Sequence, residues 1–148
     1  RGYYIDFCQH RLNSMFELPL RAIEIRDQVE SFFNDRILPN HKLWLEQAAA
    51  GEAVPTIQRT LQQEAKALGL WNMALPRLDD NEPGTRLSNL EFAGVAEVLG
   101  KLEWASRVFN CHAPDVPNME LLQLFARSNK KRNGWFLYSM VRLDLLLP

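Results

Sequence analysis

The side chains of this chain that are best suited to chemistry are its histidines and cysteines, and their spacing limits what they can do. His10, His41 and His112 lie in separate segments, and none has a second candidate ligand three or four residues away. Because zinc sites usually draw ligand pairs from such short spacings, no metal site is predicted. Cys8 and Cys111 show neither metal nor disulfide spacing, so we expect two reduced thiols.

Cys111 directly precedes His112, and a thiolate activated by an imidazole would be a nucleophile. Adjacent side chains on a helix point about 100° apart, however, and no third group is visible that would orient the imidazole. We therefore predict a buried thiol beside a partly exposed imidazole, and no catalytic residue. Asp115, between two prolines, is predicted to cap a turn. The cations at 130–132 could attract a phosphate-rich ligand, but a solvated turn at a helix end is the favoured interpretation.

Cys111, His112 and Asp115 lie in the stretch from 104 to 125, WASRVFNCHAPDVPNMELLQLF, which we call the elbow. Apolar side chains recur at helical spacing on both sides of its polar centre, including Leu121 to Phe125 on the carboxyl side. Pro114 and Pro117 push the residues before them out of the helical region, so the first helix should stop within two residues before Pro114. Asn118 is then placed to cap the second helix.

Other helix patterns precede the elbow. From Glu24 the apolar side chains share one helical face, and Pro39 should kink or break this helix before a second apolar piece begins. The members of the first stripe are Ile25, Val29, Phe32 and Phe33. A third pattern runs from Pro55 to Gly69, which is expected to close that helix. Its members are Ile57, Leu61, Ala65 and Leu68.

A capping box marks the start of the next helix, because Ser88 is followed three residues later by Glu91. The apolar members behind it are Phe92, Val95, Ala96 and Leu99, with Gly100 as the stop. No alternation of period two appears outside the carboxyl-terminal tail, and one long loop spans Trp71 to Leu87. The predicted fold class is therefore all-α, an antiparallel bundle of about five to six helices.

Composition restricts the class of protein. A chain of 148 residues with 47% apolar and 24% charged residues fits one globular domain. The net charge of -1 argues against nucleic-acid binding. The apolar run at Leu145 to Leu147 is too short to span a bilayer. We therefore expect a soluble protein.

Four segments, taken in order, resemble the amino-terminal helical domain of acyl-CoA dehydrogenases. They are LGLW at 68–71, Leu75-Pro76, LSNLEFAGVAEVLG at 87–100 and VFNCHAPDVPNMELLQLFA at 108–126. The last is similar to a specific motif of one branch of the family. The chain departs from the family in the loop at 79–84, which has a single glycine where the family usually has paired glycines. On this basis we divide the chain into a loosely ordered arm (1–23), a helical domain (24–132) and a tail without family resemblance (133–148).

The resemblance implies an FAD-dependent enzyme that removes hydrogens from the α and β carbons of an acyl-CoA thioester. It also implies that the catalytic carboxylate and most FAD contacts belong to further domains, so that this chain alone binds no FAD and is inactive. What it retains by position is part of the acyl-pocket wall: Phe109, Asn110 and Ala113. We expect Phe109 to face the acyl cavity and not the core of this chain, although plain packing and capping is an equally weighted alternative for all three.

The complete protein would meet acyl-CoA and an electron-transfer partner, form a homo-oligomer and lie in the cytoplasm, or in the mitochondrial matrix of a eukaryote. A second function class stays open, namely a helical interaction module that kept the fold without the chemistry. Large exposed apolar patches would favour the enzyme fragment, and a polar surface would favour the module. The tail from Trp135 is expected to be the least ordered part, since a reading-frame slip before it would explain its departure from the family.

Overall fold

The computed structural model of this chain describes residues 18–78 and 84–125, and the regular elements in these two ranges are all helical. In chain order they are α1 (Leu20–Phe32), a π-helical turn (Phe33–Ile37), a 3-10 turn (Leu38–Asn40), α2 (His41–Ala49), α3 (Thr56–Ala67), α4 (Asn89–Leu99), α5 (Ala105–Val108) and α6 (Asp115–Phe125). The predicted all-α fold is confirmed. Within these ranges, no helix is long and apolar enough to cross a membrane. The predictions for residues 1–17, for the acidic stretch 79–83 and for the basic patch and tail after Phe125 lie outside the described residues.

α1 supplies one face of the core, as its apolar spacing predicts. Ile25, Val29 and Phe32 are buried, because side chains three or four residues apart share one side of a helix. The helix begins at Leu20, so residues 20–23 belong to it and not to a loose arm. Leu20 is 70% exposed, which explains why the apolar stripe alone places the boundary too late.

Between α1 and α2 the chain stays helical but changes pitch. The π-helical turn and the 3-10 turn follow α1 directly, and Pro39 lies in the 3-10 turn. A proline lacks an amide hydrogen and crowds the carbonyl four residues earlier, so an uninterrupted α-helix is not available here. Asn40 donates its side-chain amide to the carbonyl of Arg36 at 2.7 Å. The kink expected at Pro39 thus takes the form of a change in helix type.

α2 is anchored by two stacked indoles. The rings of Trp44 and Trp104 lie 5.2 Å apart and within 5° of parallel. The indole N–H of Trp104 donates to Nδ1 of His41 at 3.0 Å, and that of Trp44 donates to Oε1 of Gln58 at 3.0 Å. None of the nine residues of α2 is buried, so side-chain contacts hold it on the fold, including the bond from the Ile57 amide to Oε1 of Gln47 at 2.9 Å.

α3 ends at Gly69 as predicted. Gly69 has a φ of +74°, and the amides of Leu70 and Gly69 donate to the carbonyls of Ala65 (2.9 Å) and Lys66 (3.0 Å). These two bonds are those of a Schellman motif. The reversal folds Leu70 into the core at 2% exposure, whereas Leu68 is 60% exposed. The prediction that Leu68 belongs to the buried stripe is therefore wrong, because the chain turns away before this side chain reaches the core.

The segment after α3 is buried although it has no helical period. Trp71, Met73, Leu75 and Leu78 are each at most 8% exposed. Leu75 and Leu78 form a second small cluster with Met119 of α6. This part of the predicted long loop is therefore a piece of the core that joins α3 to the elbow.

The capping box of α4 is confirmed. The amide of Ser88 donates to the Glu91 carboxylate at 2.7 Å, and the amide of Glu91 donates to the Ser88 hydroxyl at 3.3 Å. The buried residues of α4 are Val95, Val98 and Leu99. Ala96, which was expected on this face, is exposed, because it lies about 100° from its neighbour Val95 around the helix.

Candidate functional site

The first arm of the elbow is a single helical turn that ends earlier than predicted. α5 stops at Val108, and Asn110 takes a left-handed conformation with a φ of +53°. The amides of Cys111 and Asn110 donate to the carbonyls of Ser106 (2.9 Å) and Arg107 (3.3 Å). These are again the two bonds of a Schellman motif. Asparagine is one of the few residues other than glycine that adopts this conformation readily, and it ends the helix before the prolines can.

The second arm begins at Asp115, directly after Pro114 and a cis Ala113–Pro114 peptide. The amides of Asp115 and Val116 both donate to the carbonyl of His112, at 3.0 and 3.2 Å. Asn118 lies inside the first turn of α6, where its own amide donates to the carbonyl of Pro114 at 3.2 Å. The prediction that Asn118 is the N-cap is therefore wrong. Pro117 is compatible with the first turn of α6, because the amides of a first turn have no partner within the helix and the missing N–H of proline costs no hydrogen bond there.

Phe109 lies in the core of this chain. Its side chain is 0% exposed and meets the ring of Phe32 edge-on, with the centroids 5.5 Å apart. A ring that is already covered on all sides by its own chain has no surface left for a ligand unless the chain rearranges. The expectation that Phe109 faces away from this core is therefore wrong.

The other two predicted site residues differ sharply from each other. Asn110 is 7% exposed, and its side-chain amide donates to Oδ1 of Asn72 at 2.7 Å and lies 3.7 Å from the sulfur of Met119. Ala113 is exposed. Of the three residues, Ala113 alone presents a side chain that a ligand can reach.

Cys111 and His112 do not form a nucleophilic pair. The thiol of Cys111 donates to the carbonyl of Phe109 at 3.3 Å. The residue as a whole is half-buried, but its sulfur is enclosed, and this burial raises the pKa of the thiol to about 12. Hydrogen bonds from the backbone of Ala74 and Met73 lower the pKa, but by less than burial raises it. A thiol with such a pKa stays protonated at neutral pH and is a poor nucleophile. The His112 ring instead hydrogen-bonds through Nδ1 to the hydroxyl of Ser106 at 3.0 Å.

A cavity of about 230 Å³ lies beside the elbow, between α4 and α5. Its walls include Phe92, Leu99 and Cys111, together with the carboxylate of Glu103 and the hydroxyl of Ser106. Pockets for drug-sized ligands usually measure about 300 to 1,000 Å³. The cavity is thus large enough only for a small, mostly apolar group. In residues 18–78 and 84–125, no group of three His, Cys, Asp or Glu side chains could hold a metal ion.

α6 buries two polar side chains and exposes three large apolar ones. The residues that it buries are Asp115, Met119 and Gln123. Leu121, Leu124 and Phe125, which recur at helical spacing in the sequence, are 61%, 48% and 76% exposed. Three large apolar side chains on the outside of one helix are unusual enough to mark an interaction face. Sequence reasoning missed this, because an apolar stripe at helical spacing indicates only that a face is apolar and not which partner covers it.

The sequence and the fold of this chain were compared with those of known proteins. No family model matches the chain. It is 37% identical to acyl-CoA dehydrogenase family member 10 of Mus musculus over 112 residues, which cover 73% of this chain and 10% of that protein. It is 32% identical to family member 11 of the same species over 139 residues, 90% of this chain and 17% of that protein. A solved structure from Mycobacterium abscessus assigned to the acyl-CoA dehydrogenases matches 83% of this chain and 32% of its own, at 34% identity and a TM-score of 0.71. The chain therefore spans about a tenth to a third of the length of these proteins.

Proposed function

Because this chain is related in sequence and in fold to the acyl-CoA dehydrogenases, we propose that it forms the helical amino-terminal portion of an enzyme of that family. The proposed reaction is the FAD-dependent removal of hydrogens from the α and β carbons of an acyl-CoA thioester. The proposal concerns a larger protein, since the relatives from mouse extend far beyond the matched region. On its own, this chain is proposed to be inactive.

The observation that carries the proposal is the outward apolar face of α6. Leu121, Leu124 and Phe125 are largely exposed, and leaving such side chains in water costs free energy that burial against another surface would recover. A self-sufficient module would be expected to turn this stripe inward. We infer that a further part of the same polypeptide covers it.

The described residues do not fit FAD by themselves. The cavity beside the elbow is too small for a dinucleotide, and its charged wall residue is the carboxylate of Glu103, which would repel a diphosphate. When FAD is bound to the complete enzyme, it would accept the hydride. The role of this chain is limited to shaping the neighbouring acyl site.

Within that role, the wall residues act in different ways. Ala113, which is exposed, would contact the acyl chain directly, because a small side chain leaves room for it. Asn110 would hold the backbone of the elbow in place, and Phe109 would support it from the core. The complete protein would further be a homo-oligomer that passes electrons to a partner protein, in the cytoplasm or, in a eukaryote, in the mitochondrial matrix.

The first experiment purifies residues 1–148 and records its absorption spectrum, its activity with acyl-CoA thioesters and its fluorescence with a hydrophobic dye. We expect a colourless, inactive protein that binds the dye. Replacing Leu121 and Phe125 with glutamate should abolish dye binding, whereas Leu68→Glu, on a different exposed leucine, should not. A yellow preparation would contradict the proposal that this chain alone binds no FAD. A wild type that does not bind the dye would favour the interaction module.

The second experiment joins this segment to the remaining part of mouse family member 11 and measures turnover against acyl-chain length. Ala113→Phe should shorten the longest acyl chain accepted, because the larger ring fills the pocket. Leu45→Phe, at an exposed position of α2, is the matched control and should change nothing. An unchanged length preference in the Ala113 variant would remove this residue from the pocket wall.

A further inference from the structure

Asn72 makes two polar contacts with the elbow from the segment that follows α3. Its amide donates to the carbonyl of Phe109 at 3.1 Å, and its side-chain oxygen accepts from the side-chain amide of Asn110 at 2.7 Å. Asn72 is 0% exposed and, like Asn110, has a left-handed backbone, with φ values of +52° and +53°. Two consecutive residues of the elbow are thus held by Asn72, which precedes Asn110 by 38 positions in the chain.

Asn72 is itself fixed from two further sides. Its carbonyl accepts from the amide of Leu75 at 3.1 Å. A Cβ placed on Gly84 would lie 3.0 Å from the Cβ of Asn72, so the segment at 84–85 packs directly against it. Thr85 secures that segment, because its amide donates to the carbonyl of Trp71 at 3.0 Å and its hydroxyl donates to the carbonyl of Gly69 at 2.8 Å. Asn72 is therefore held by contacts within its own segment as well as by its contacts with the elbow.

Asparagine meets two requirements at positions 72 and 110, namely a left-handed backbone and a side chain that can form a hydrogen bond. Each asparagine tolerates the left-handed conformation, and each offers both a donor and an acceptor to the other. A buried amide group without a partner is costly, so the rotamers of the two side chains select each other. If Asn110 left the left-handed region, the Schellman motif of α5 would be lost, and residues 111–113 would be redirected.

We propose that Asn72 is a positioning residue for the elbow, which keeps Asn110 in the conformation that ends α5 and thereby sets where Ala113 stands. The part of this inference that concerns Ala113 in an acyl-pocket wall rests on the proposed function. The part that concerns the conformation of the elbow does not.

The elbow's conformation is tested on the 148-residue chain with Asn72→Gly and the matched control Thr85→Val. Asn72→Gly keeps the left-handed backbone but removes the acceptor for Asn110. Thr85→Val removes the hydroxyl contacts with the carbonyls of Gly69 and Trp71, but it keeps the bond from the Thr85 amide to Trp71 and leaves the asparagine pair intact. The readouts are the side-chain amide resonance of Asn110 and the alkylation rate of Cys111, resolved by peptide mass spectrometry from that of Cys8.

Asn72→Gly should shift the Asn110 resonance toward that of a solvated amide and speed the alkylation of Cys111 about fivefold to tenfold, which corresponds to one lost hydrogen bond. Thr85→Val should leave both unchanged. Equal effects in the two variants, or none in Asn72→Gly, would overturn the inference. If Asn72→Gly does not fold, Asn110→Gly breaks the same bond from the other side, and the alkylation rate of Cys111 is then the readout. The same fivefold to tenfold rise is expected, and a rate equal to that of the wild type or of Thr85→Val would overturn the inference.

The consequence for substrate is tested in the joined enzyme described above. Asn72→Gly should raise KM for acyl-CoA severalfold with kcat nearly unchanged, and Thr85→Val should move neither. If Asn72→Gly speeds the alkylation of Cys111 but leaves KM unchanged, Asn72 does not act on the acyl-pocket wall. An unmutated joined enzyme without activity would instead count against the proposed function and leave the alkylation result standing.

Discussion

α3 and α5 end in the same backbone motif, but with different residues at its left-handed position. Gly69 ends α3 at the surface, and a Cβ added there would meet nothing within 4 Å. Asn110 ends α5 in the interior, where its side-chain amide is bonded to Asn72. The first position requires only a backbone conformation, so glycine suffices. The second requires the conformation and a side-chain contact, which glycine cannot provide.

The residues that precede Gly69 and Asn110 also differ in their exposure to solvent. Leu68 is 60% exposed, whereas Phe109 is 0% exposed. Both are apolar residues next to a helix end, yet one chain reversal occurs in solvent and the other in the core. The end of α3 thus depends on local backbone conformation, whereas the end of α5 also depends on contacts with distant segments of the chain.

The largest expected effect follows from this contrast. Phe109→Ala should lower the free energy of unfolding by about 3 to 5 kcal/mol, because it leaves a cavity in the core. Leu68→Ala should change it by less than about 0.5 kcal/mol, as for most surface substitutions. Urea unfolding of both variants measures the difference. Similar values would mean that the two helix ends are equally exposed.

Asn110→Ala should be the next most damaging change. It forces an ordinary side chain into a left-handed conformation and leaves the Asn72 acceptor without its donor, for a combined cost of about 2 to 4 kcal/mol. Asn110→Gly keeps the conformation and should cost about half as much. Thermal unfolding of the two variants separates the backbone requirement from the hydrogen bond. If they are equally destabilised, the conformation of Asn110 contributes nothing.

Gly69→Ala should cost about 1 to 2 kcal/mol, which is the penalty for the left-handed conformation alone, because the space around the position is open. Gly69→Asn should be better tolerated than Gly69→Ala. Chemical denaturation of both variants provides the measurement. A cost for asparagine as large as that for alanine would show that something other than backbone conformation limits this position.

The start of α4 is a second local signal and allows the same comparison at an amino-terminal helix end. Ser88→Ala should cost about 1 kcal/mol, because it removes the hydroxyl that accepts from the amide of Glu91. Ser88→Asp is the matched control, since aspartate is an equally good cap. The melting temperatures should fall for alanine and stay near the wild type for aspartate, and a fall in both would indicate a tertiary role for Ser88.

The smallest expected effect is a pH dependence at the same cap. The pKa of Glu91 is lowered from 4.5, first by the hydrogen bond from the Ser88 amide and then by the Ser88 side chain. A carboxylate with a lowered pKa stabilises the fold fully above its ordinary pKa and loses this contribution as the pH falls through the lowered value. The stability difference between wild type and Glu91→Gln should therefore shrink below about pH 4.5. A difference that grows on acidification would contradict this assignment.

Sequence reasoning succeeded where the cause of a structure is local. The capping box at Ser88, the stop at Gly69 and the buried face of α1 each depend on residues within one or two turns. It failed at Leu68 and Asn118, and it placed Phe109 on the wrong side. At Leu68 and Phe109 a chain reversal, rather than helical periodicity, decides which way the side chain faces, and Asn118 lies inside α6 because that helix already begins at Asp115.

The sequence by itself determined the helical class, several helix ends and the family resemblance in the elbow, because periodicity, capping and motif are properties of neighbouring residues. Only the tertiary structure decided that Asn110 meets Asn72 and that Phe109 belongs to the core. It also decided that α6 turns its leucines outward. These outcomes depend on segments far apart in the chain competing for the same interior space, and no pattern within one segment records which of them will occupy it.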